Sequence, residues 1–202
     1  MEGGFDFNFP DDFFDKMGDA QAKAATKAAE MTSEQIVSEA KNNLTPEHGV
    51  SENYLKSSLT RSTAARSKNY DFTAHYDGDS GPIATAAIGD NEVATTVGTP
   101  LMYGACLENG TRPHFPPIQA IIDWVHHKGL TGSYSIKTGR RVGGKANIDS
   151  EDKSLAYAIA LSISRVGTRA WPWLFPAVNR VLNSDFFERA LRQCYDEMRM
   201  DI

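Results

Sequence analysis

From Val97 to Pro117 the chain reads VGTPLMYGACLENGTRPHFPP, and no other segment constrains the fold as much. A short apolar run over 101–107 leads into one carboxylate, Glu108, and then an Asn109-Gly110 pair. The rigid segment Arg112-Pro113-His114-Phe115-Pro116-Pro117 follows, and a helical pattern begins directly after it. Asn-Gly supplies the positive φ of a tight reversal, and each proline fixes φ near about −65° and removes a backbone donor. The expectation is a strand over 101–107, a structural turn built on Glu108, Gly110, Thr111 and Pro113, and a stiff corner leaving a sheet. Such a corner is architecture, and little in it is disposed to act on a substrate.

Around this corner the order of patterns is helices, strands, helices. Residues 12–44 are Ala-rich, with Phe14, Met17, Ala20, Ala24, Ala28 and Met31 at helical spacing. Thr32-Ser33-Glu34-Gln35 has the form of a capping box, which predicts a break between two helices near Thr32. Thr45-Pro46 stops the segment. Residues 47–68 read as a polar connection. Strand-like stretches follow at 70–76, 83–88 and 93–97; in the first, Phe72, Ala74 and Tyr76 alternate with Asp71, Thr73 and His75. With 101–107 this makes a meander of about four strands.

The second half is helical. Ile118, Ile121, Ile122 and Val125 form one stripe after Pro117. Ser150-Glu151-Asp152 reads as a helix start ahead of Leu155, Ile159, Ile163 and Val166. Phe187, Leu191, Cys194 and Met198 share a face of a last helix that begins at Ala177 or restarts at Ser184. The fold class expected is α+β: an antiparallel sheet of about four strands packed against N-terminal and C-terminal helices. Its domains are an acidic Phe-rich arm over 1–19 and a single α+β domain over 20–202, with a basic Gly-rich loop inserted at about 128–149.

The arm carries six acids against one lysine, interleaved with Phe5, Phe7 and Phe9. It reads either as a docking arm or as a terminus folded back on its own core. The loop carries Lys128, Lys137, Arg140, Arg141 and Lys145 without one acid between Val125 and Ile148. It reads as an ordinary solvated loop or as a DNA-facing one that touches phosphates without reading sequence. The formal net charge of −5 over 202 residues argues against a whole surface built for nucleic acid. No run reaches the roughly 18 apolar residues of a membrane span, and the acidic start does not read as a secretory signal.

Enzyme chemistry finds little purchase. Residues 139–146, GRRVGGKA, match a phosphate-binding loop except at Ala146, where the magnesium-holding hydroxyl belongs. Its context is also expected to fail, for want of a buried strand before it and a helix straight after it. Cys106 lies in an apolar run and Cys194 on a helical face, so both are expected to be buried structural thiols, with no orienting group at a known spacing. His126-His127 are adjacent on a helix and point apart, unlike an i, i+4 metal pair. No cofactor or metal and no enzymatic activity is expected. Glu108 either hydrogen-bonds its own turn or pairs with Arg112 or with an Arg of a neighbouring subunit.

Taken together, Tyr103, Glu108, Gly110, Thr111, Pro113, Pro116, Trp124, Val125, Gly167, Thr168, Ala170, Pro172, Pro176 and Ala177 form a pattern. It resembles that of the neck and tail-completion proteins of long-tailed bacteriophages: an aromatic, Glu, Gly-Thr, a Pro-rich corner, a helix ending in Trp-Val, then Gly-Thr-x-Ala-x-Pro. Tyr54-Leu55-Lys56-Ser57-Ser58-Leu59 is similar to the family's segment leading from the first helix into the sheet, although Asn53-Tyr54 replaces its usual Thr-Gly. The resemblance spans roughly residues 44–181, with a long insertion in the middle.

It implies a structural virion protein at the head–tail junction, assembled in the host cytoplasm as a homo-oligomeric ring. The partners implied are the head-closure or connector protein and the tail terminator or tail-tube protein, with non-specific contact to genome DNA in the channel and no membrane. Phe5, Phe7, Phe9, Trp171, Trp173 and Phe175 are the assembly contacts expected, at least one of the two tryptophans being core filling instead. The alternatives are a tail terminator or tail-tube component and, further off, a nucleotide-binding or cysteine enzyme.

Overall fold

The computed structural model describes residues 3–7, 19–45, 54–67, 70–76, 78, 88–90, 92–128, 130, 133–134, 141–142 and 145–200. The chain divides into two compact units. Unit 1 comprises Met1–Glu108 and Pro172–Ile202; unit 2 is the inserted segment Asn109–Trp171. This division is finer than the single domain expected for 20–202.

Unit 1 is an antiparallel sheet with a long helix, α1 (Asp19–Asn43), against it. Three strands form the sheet's main body: β2 (Thr60–Ser67), β3 (Tyr70–Tyr76) and β4 (Glu92–Gly98). A shorter strand, β1 (Gly3–Phe7), pairs along the free side of β4, so the order is β1-β4-β2-β3. The segment expected as an arm is thus hydrogen-bonded strand over 3–7. Phe9 lies outside the described residues, as does most of the strand expected at 83–88.

The meander differs from expectation in two places. Residues 101–107 are helical, within α3 (Met102–Asn109), so the count of about four consecutive strands was too high by this one. The run Met-Tyr-Gly-Ala-Cys-Leu has no β-branched residue and favours helix on propensity. Thr99 Oγ1 accepts the Leu101 N–H at 3.1 Å and settles the entry. Conversely, β2 lies inside the stretch expected to be a polar connection. Its residues, TRSTAARS, carry no apolar alternation, yet it pairs with β3 on one side and β4 on the other. Thr60, Ser62 and Thr63 are buried there because small side chains fit a central strand; Thr63 Oγ1 lies 3.1 Å from Thr95 Oγ1. A four-residue helix, α2 (Tyr54–Ser57), leads into it. Strand β3 alternates as expected through Phe72 and Ala74, which are half-buried with Tyr70, but Tyr76, expected on the same face, is exposed.

Helix α1 does not break at Thr32. Thr32 and Ser33 turn their hydroxyls back onto the carbonyls of Ala28 and Glu30, at 2.8 and 2.7 Å, instead of capping a new helix. Alanine explains how α1 can be covered on more than one side. Ala22, Ala25 and Ala29 pack with Ala65 and Val93 of the sheet, and Ala24 and Ala28 pack with Ala190 and Cys194. The latter two belong to α7 (Phe186–Met200), which restarts after α6 (Phe175–Leu182), where Ser184 Oγ accepts the Phe186 N–H at 3.3 Å. A third cluster joins Ile36, Ala40 and Leu44 to Leu55, Leu59, Val97, Trp173 and Val178.

Unit 2 is built on two helices, α4 (Ile118–Lys128) and α5 (Lys145–Val166), with a two-residue-per-strand hairpin, β5 (Ser133–Tyr134) and β6 (Arg141–Val142). Helix α5 begins at Lys145, ahead of the Ser150 start expected. Its buried positions are Asp152, Ala156 and Ala160, with Leu155, Ile159 and Ile163 half-buried beside them; Val166 is exposed.

Candidate functional site: a capped helix and a paired Gly-Thr clasp

Two motif segments that lie about sixty residues apart in sequence pair within each unit. In unit 1, the Glu108 carboxylate at the end of α3 receives three backbone N–H groups. Its Oε2 accepts from Trp173 at 2.7 Å and Leu174 at 2.8 Å, and its Oε1 accepts from Phe175 at 2.9 Å. These are donors at the start of α6, where the preceding Leu174 offers no side-chain cap. A carboxylate there satisfies orphan donors and meets the positive end of the helix dipole. Among the hydrogen bonds and ion pairs described, Glu108 therefore bonds the start of α6, where its own Gly110-Thr111 turn or Arg112 was expected.

Trp173 is locked into the same place. Its indole Nε1–H donates to the Gly104 carbonyl at 3.1 Å, and its own carbonyl accepts from Asn43 Nδ2 at 2.9 Å. Gly104 sits mid-helix because a Cβ there would come within 2.8 Å of Thr99 Cγ2 and 3.0 Å of Leu55 Cδ1. Trp173 is 3% exposed, so it is core and not the assembly contact expected of it. The expectation that one tryptophan fills the core is met here, while Trp171 is exposed with the Arg169 guanidinium 5.3 Å from its ring centroid. Phe175 is exposed as well. The side chains of Phe5 and Phe7 are not among those described.

In unit 2, Asn109-Gly110-Thr111 and Val166-Gly167-Thr168 form a reciprocal pair. Gly110 has φ +70° and Gly167 has φ +76°. Gly167 closes α5, its N–H returning to the Ile163 carbonyl at 2.8 Å as a left-handed cap does. Gly110 likewise follows the last residue of α3, so Asn-Gly ends a helix here and is not a corner leaving a sheet. Each glycine abuts the other strand: a Cβ on Gly110 would collide with the Thr168 carbonyl, and one on Gly167 with the Thr111 carbonyl. Between them Thr111 and Thr168 pair antiparallel. The Thr111 N–H donates to the Thr168 carbonyl at 3.1 Å, and Thr111 Oγ1 accepts both the Thr168 N–H at 3.1 Å and its hydroxyl at 3.0 Å.

The Pro-rich elbow extends this clasp. The His114 N–H reaches the Ile163 carbonyl at 3.4 Å, Pro116 is buried, and Phe115 leans on Tyr157 with ring centroids 6.2 Å apart. Pro113 is exposed.

The other expected site residues divide differently. Lys128 is half-buried at the end of α4, and Lys137 and Arg140 lie outside the described residues. Arg141 falls in β6, and Lys145 opens α5, so the basic segment is not one continuous loop. One ground for dismissing a phosphate loop therefore falls: a helix does follow Gly144. The Ala146 position and the two-residue antiparallel strands ahead of it still depart from that motif.

Cys106 is exposed, contrary to expectation; Cys194 is buried, its Sγ 3.7 Å from Met31 Sδ, and burial raises its thiol pKa. Among the described residues no group of three or more His, Cys, Asp or Glu could hold a metal ion, and no helix is long and apolar enough to cross a membrane.

The pairings were missed in sequence because each motif segment is polar and local in appearance. The one available signal was that Gly-Thr recurs at Gly110-Thr111 and Gly167-Thr168, and a third copy, Gly98-Thr99, diluted it. No protein-family model, curated protein or solved structure matches the chain.

Proposed function

We propose that this protein is a structural subunit of the head–tail junction of a long-tailed bacteriophage, a neck or tail-completion protein that joins the filled head to the tail as part of a ring. The observation that carries the reading is the pairing itself. Of the residues that make up the motif, Glu108 bonds the backbone from Trp173 to Phe175, and Gly110-Thr111 pairs with Gly167-Thr168. The motif is then an architectural lock, as a scaffold protein requires, and its carboxylate is consumed in capping a helix.

Exposed aromatics beside the lock, Phe175 in unit 1 and Trp171 and Phe115 in unit 2, supply contact surface of the kind that interfaces use. On this reading the protein resides in the virion, between the head-closure ring and the tail terminator.

Electron microscopy of lysates from the parent phage with a nonsense mutation in this gene tests the reading. Filled heads and complete tails that fail to join are the expected result. Overlong or absent tails would assign the protein to tail termination instead. Normal infectious particles would overturn any role at the joint.

A further inference from the structure

The Thr111–Thr168 bridge joins two segments that carry arginine and no acid. Residues 109–122 hold Arg112 and His114, and residues 154–171 hold Arg165 and Arg169; neither stretch contains Asp or Glu. Arg112 directly follows one bridge threonine and Arg169 the other. Both backbones are held close to the opposite glycine: a Cβ on Gly167 would lie 3.0 Å from the Arg112 carbonyl carbon, and one on Gly110 would lie 3.2 Å from that of Arg169. A cross-bridge Cα spacing of about 5.5 Å and one step of about 3.8 Å on each side keep the two Cα atoms within about 13 Å. Two arginine side chains can close that span on one ligand.

Arg165 stands in the last turn of α5, two residues before Gly167. Arg112, Arg165 and Arg169 are all exposed, and none belongs to an ion pair among those described. The Arg169 guanidinium lies 5.3 Å from the ring centroid of Trp171, which is 41% exposed. His114 sits beside them, its Nδ1 donating to the Arg112 carbonyl at 2.9 Å. The carboxylates stand off or are engaged. Glu108, four residues before Arg112, accepts the N–H groups of Trp173, Leu174 and Phe175. Glu151 and Asp152 lie about 20 Å back along α5, at about 1.5 Å per residue. Asp123 is in the middle of α4 and accepts from Gln119 Nε2 at 2.8 Å.

We infer that Arg112, Arg169 and Trp171, with Arg165 beside them, form a docking site for an acidic segment of another protein, whose carboxylates pair with the guanidinium groups. A guanidinium is a planar fork that matches a carboxylate at two points, and stacking on an indole leaves its N–H edges free. The clasp fixes the backbone beneath both arginines, so less freedom is lost on binding. Arginine and tryptophan are also the residue types that dominate the energy of protein interfaces. A nucleic acid fits less well. Proteins that bind a duplex spread about 6–10 cationic contacts along the phosphates, whereas these cations form one knot, with acids further along both helices. The site goes beyond the junction reading and does not depend on it.

Fluorescence anisotropy on the full-length chain tests the site, with a fluorescein-labelled octapeptide of alternating Asp and Glu as probe. A labelled single-stranded octanucleotide, of similar charge, serves as the competing class. At about 0.1 M salt, where the Debye length is about 10 Å, wild type should bind the peptide more tightly than the octanucleotide. Arg112→Glu/Arg169→Glu should weaken peptide binding at least tenfold. Lys23→Glu/Lys153→Glu, which changes the net charge equally at two exposed positions elsewhere, should bind like wild type. Circular dichroism establishes that each variant is folded, and Arg112→Gln/Arg169→Gln replaces the glutamate pair if it is not. Wild type that binds no peptide, or a lysine variant that loses as much as the arginine variant, overturns the site. Tighter binding of the octanucleotide, lost in the arginine variant, overturns the proposal and assigns the face to nucleic acid. None of these results bears on whether heads and tails join without the gene, so the two readings fail separately.

Discussion

In unit 1 the helix α1 is enclosed by the sheet through Ala22, Ala25 and Ala29 and by α7 through Ala24 and Ala28. Unit 2 instead rests on one helix pair, with Pro116, Val125, Ala156 and Ala160 as the buried apolar side chains among the described residues, and leaves Phe115, Tyr157, Val166 and Trp171 exposed. The first unit is held by packing, and close approach of small side chains makes it intolerant of change in volume. The second is held to a greater degree by backbone geometry at the Gly-Thr clasp and keeps its large side chains for the surface. A scaffold subunit needs both kinds of region, a rigid body and a presented face.

The largest expected effect tests the packing side. Trp173→Ala should destabilise unit 1 by about 4 kcal/mol, since it empties a core site and removes the indole donor from the Gly104 carbonyl. Urea denaturation followed by circular dichroism measures the loss, and the milder Trp173→Phe should recover most of it. Gly167→Val tests the clasp. A β-branched residue at φ +76° facing the Thr111 carbonyl should destabilise unit 2 by about 3 kcal/mol. Gly167→Ala should cost less, and equal stability of valine and glycine variants would refute the account of the clasp.

Glu108→Ala comes next, at about 2 kcal/mol, because three N–H groups at the start of α6 lose their acceptor. Glu108→Gln should lie between alanine and wild type, and hydrogen exchange at Leu174 and Phe175 should speed up in both variants. No change in exchange there would mean the carboxylate is dispensable to the cap.

The smallest effect concerns the edge of α1. Burial, aided by Glu34 and opposed by Arg61, raises the pKa of Glu30 above 4.5. The folded state therefore holds this proton more tightly than the unfolded chain, which favours folding at low pH. That contribution is lost as pH rises through the raised value. Glu30→Gln should thus gain thermal stability relative to wild type as pH climbs past 4.5, then hold a constant lead. A lead that shrinks with rising pH would show that the Arg61 interaction, not burial, dominates.

Much of the architecture was legible in the residues. The α+β class, the helical nature of α1, α4, α5 and α7, the strands β3 and β4, and the end of α1 before Pro46 follow from periodicity and from proline's missing donor. Gly110 was legible as a positive-φ position because Asn-Gly favours one. The restart of α7 after Ser184 was one of two readings that local capping allowed.

What escaped was decided by partners distant in sequence. Strand β2 is a strand because β3 and β4 supply its ladders, and its buried Thr and Ser residues carry no apolar period to announce this. Thr32 failed to start a helix because its hydroxyl had a nearer acceptor in the Ala28 carbonyl, within a segment whose alanines already packed on two sides. Cys106 turned outward once residues 101–107 became a helix, since a change of period from two to about 3.6 reassigns every face.

By itself the sequence determined which stretches prefer helix or strand and where the backbone must turn, because those are local costs of φ, ψ and side-chain rotamers. Only the tertiary structure decided that Glu108 caps α6 and that the two Gly-Thr pairs interlock. Hydrogen-bond acceptors are chosen by proximity in space, and proximity across sixty residues is a property of the folded chain alone.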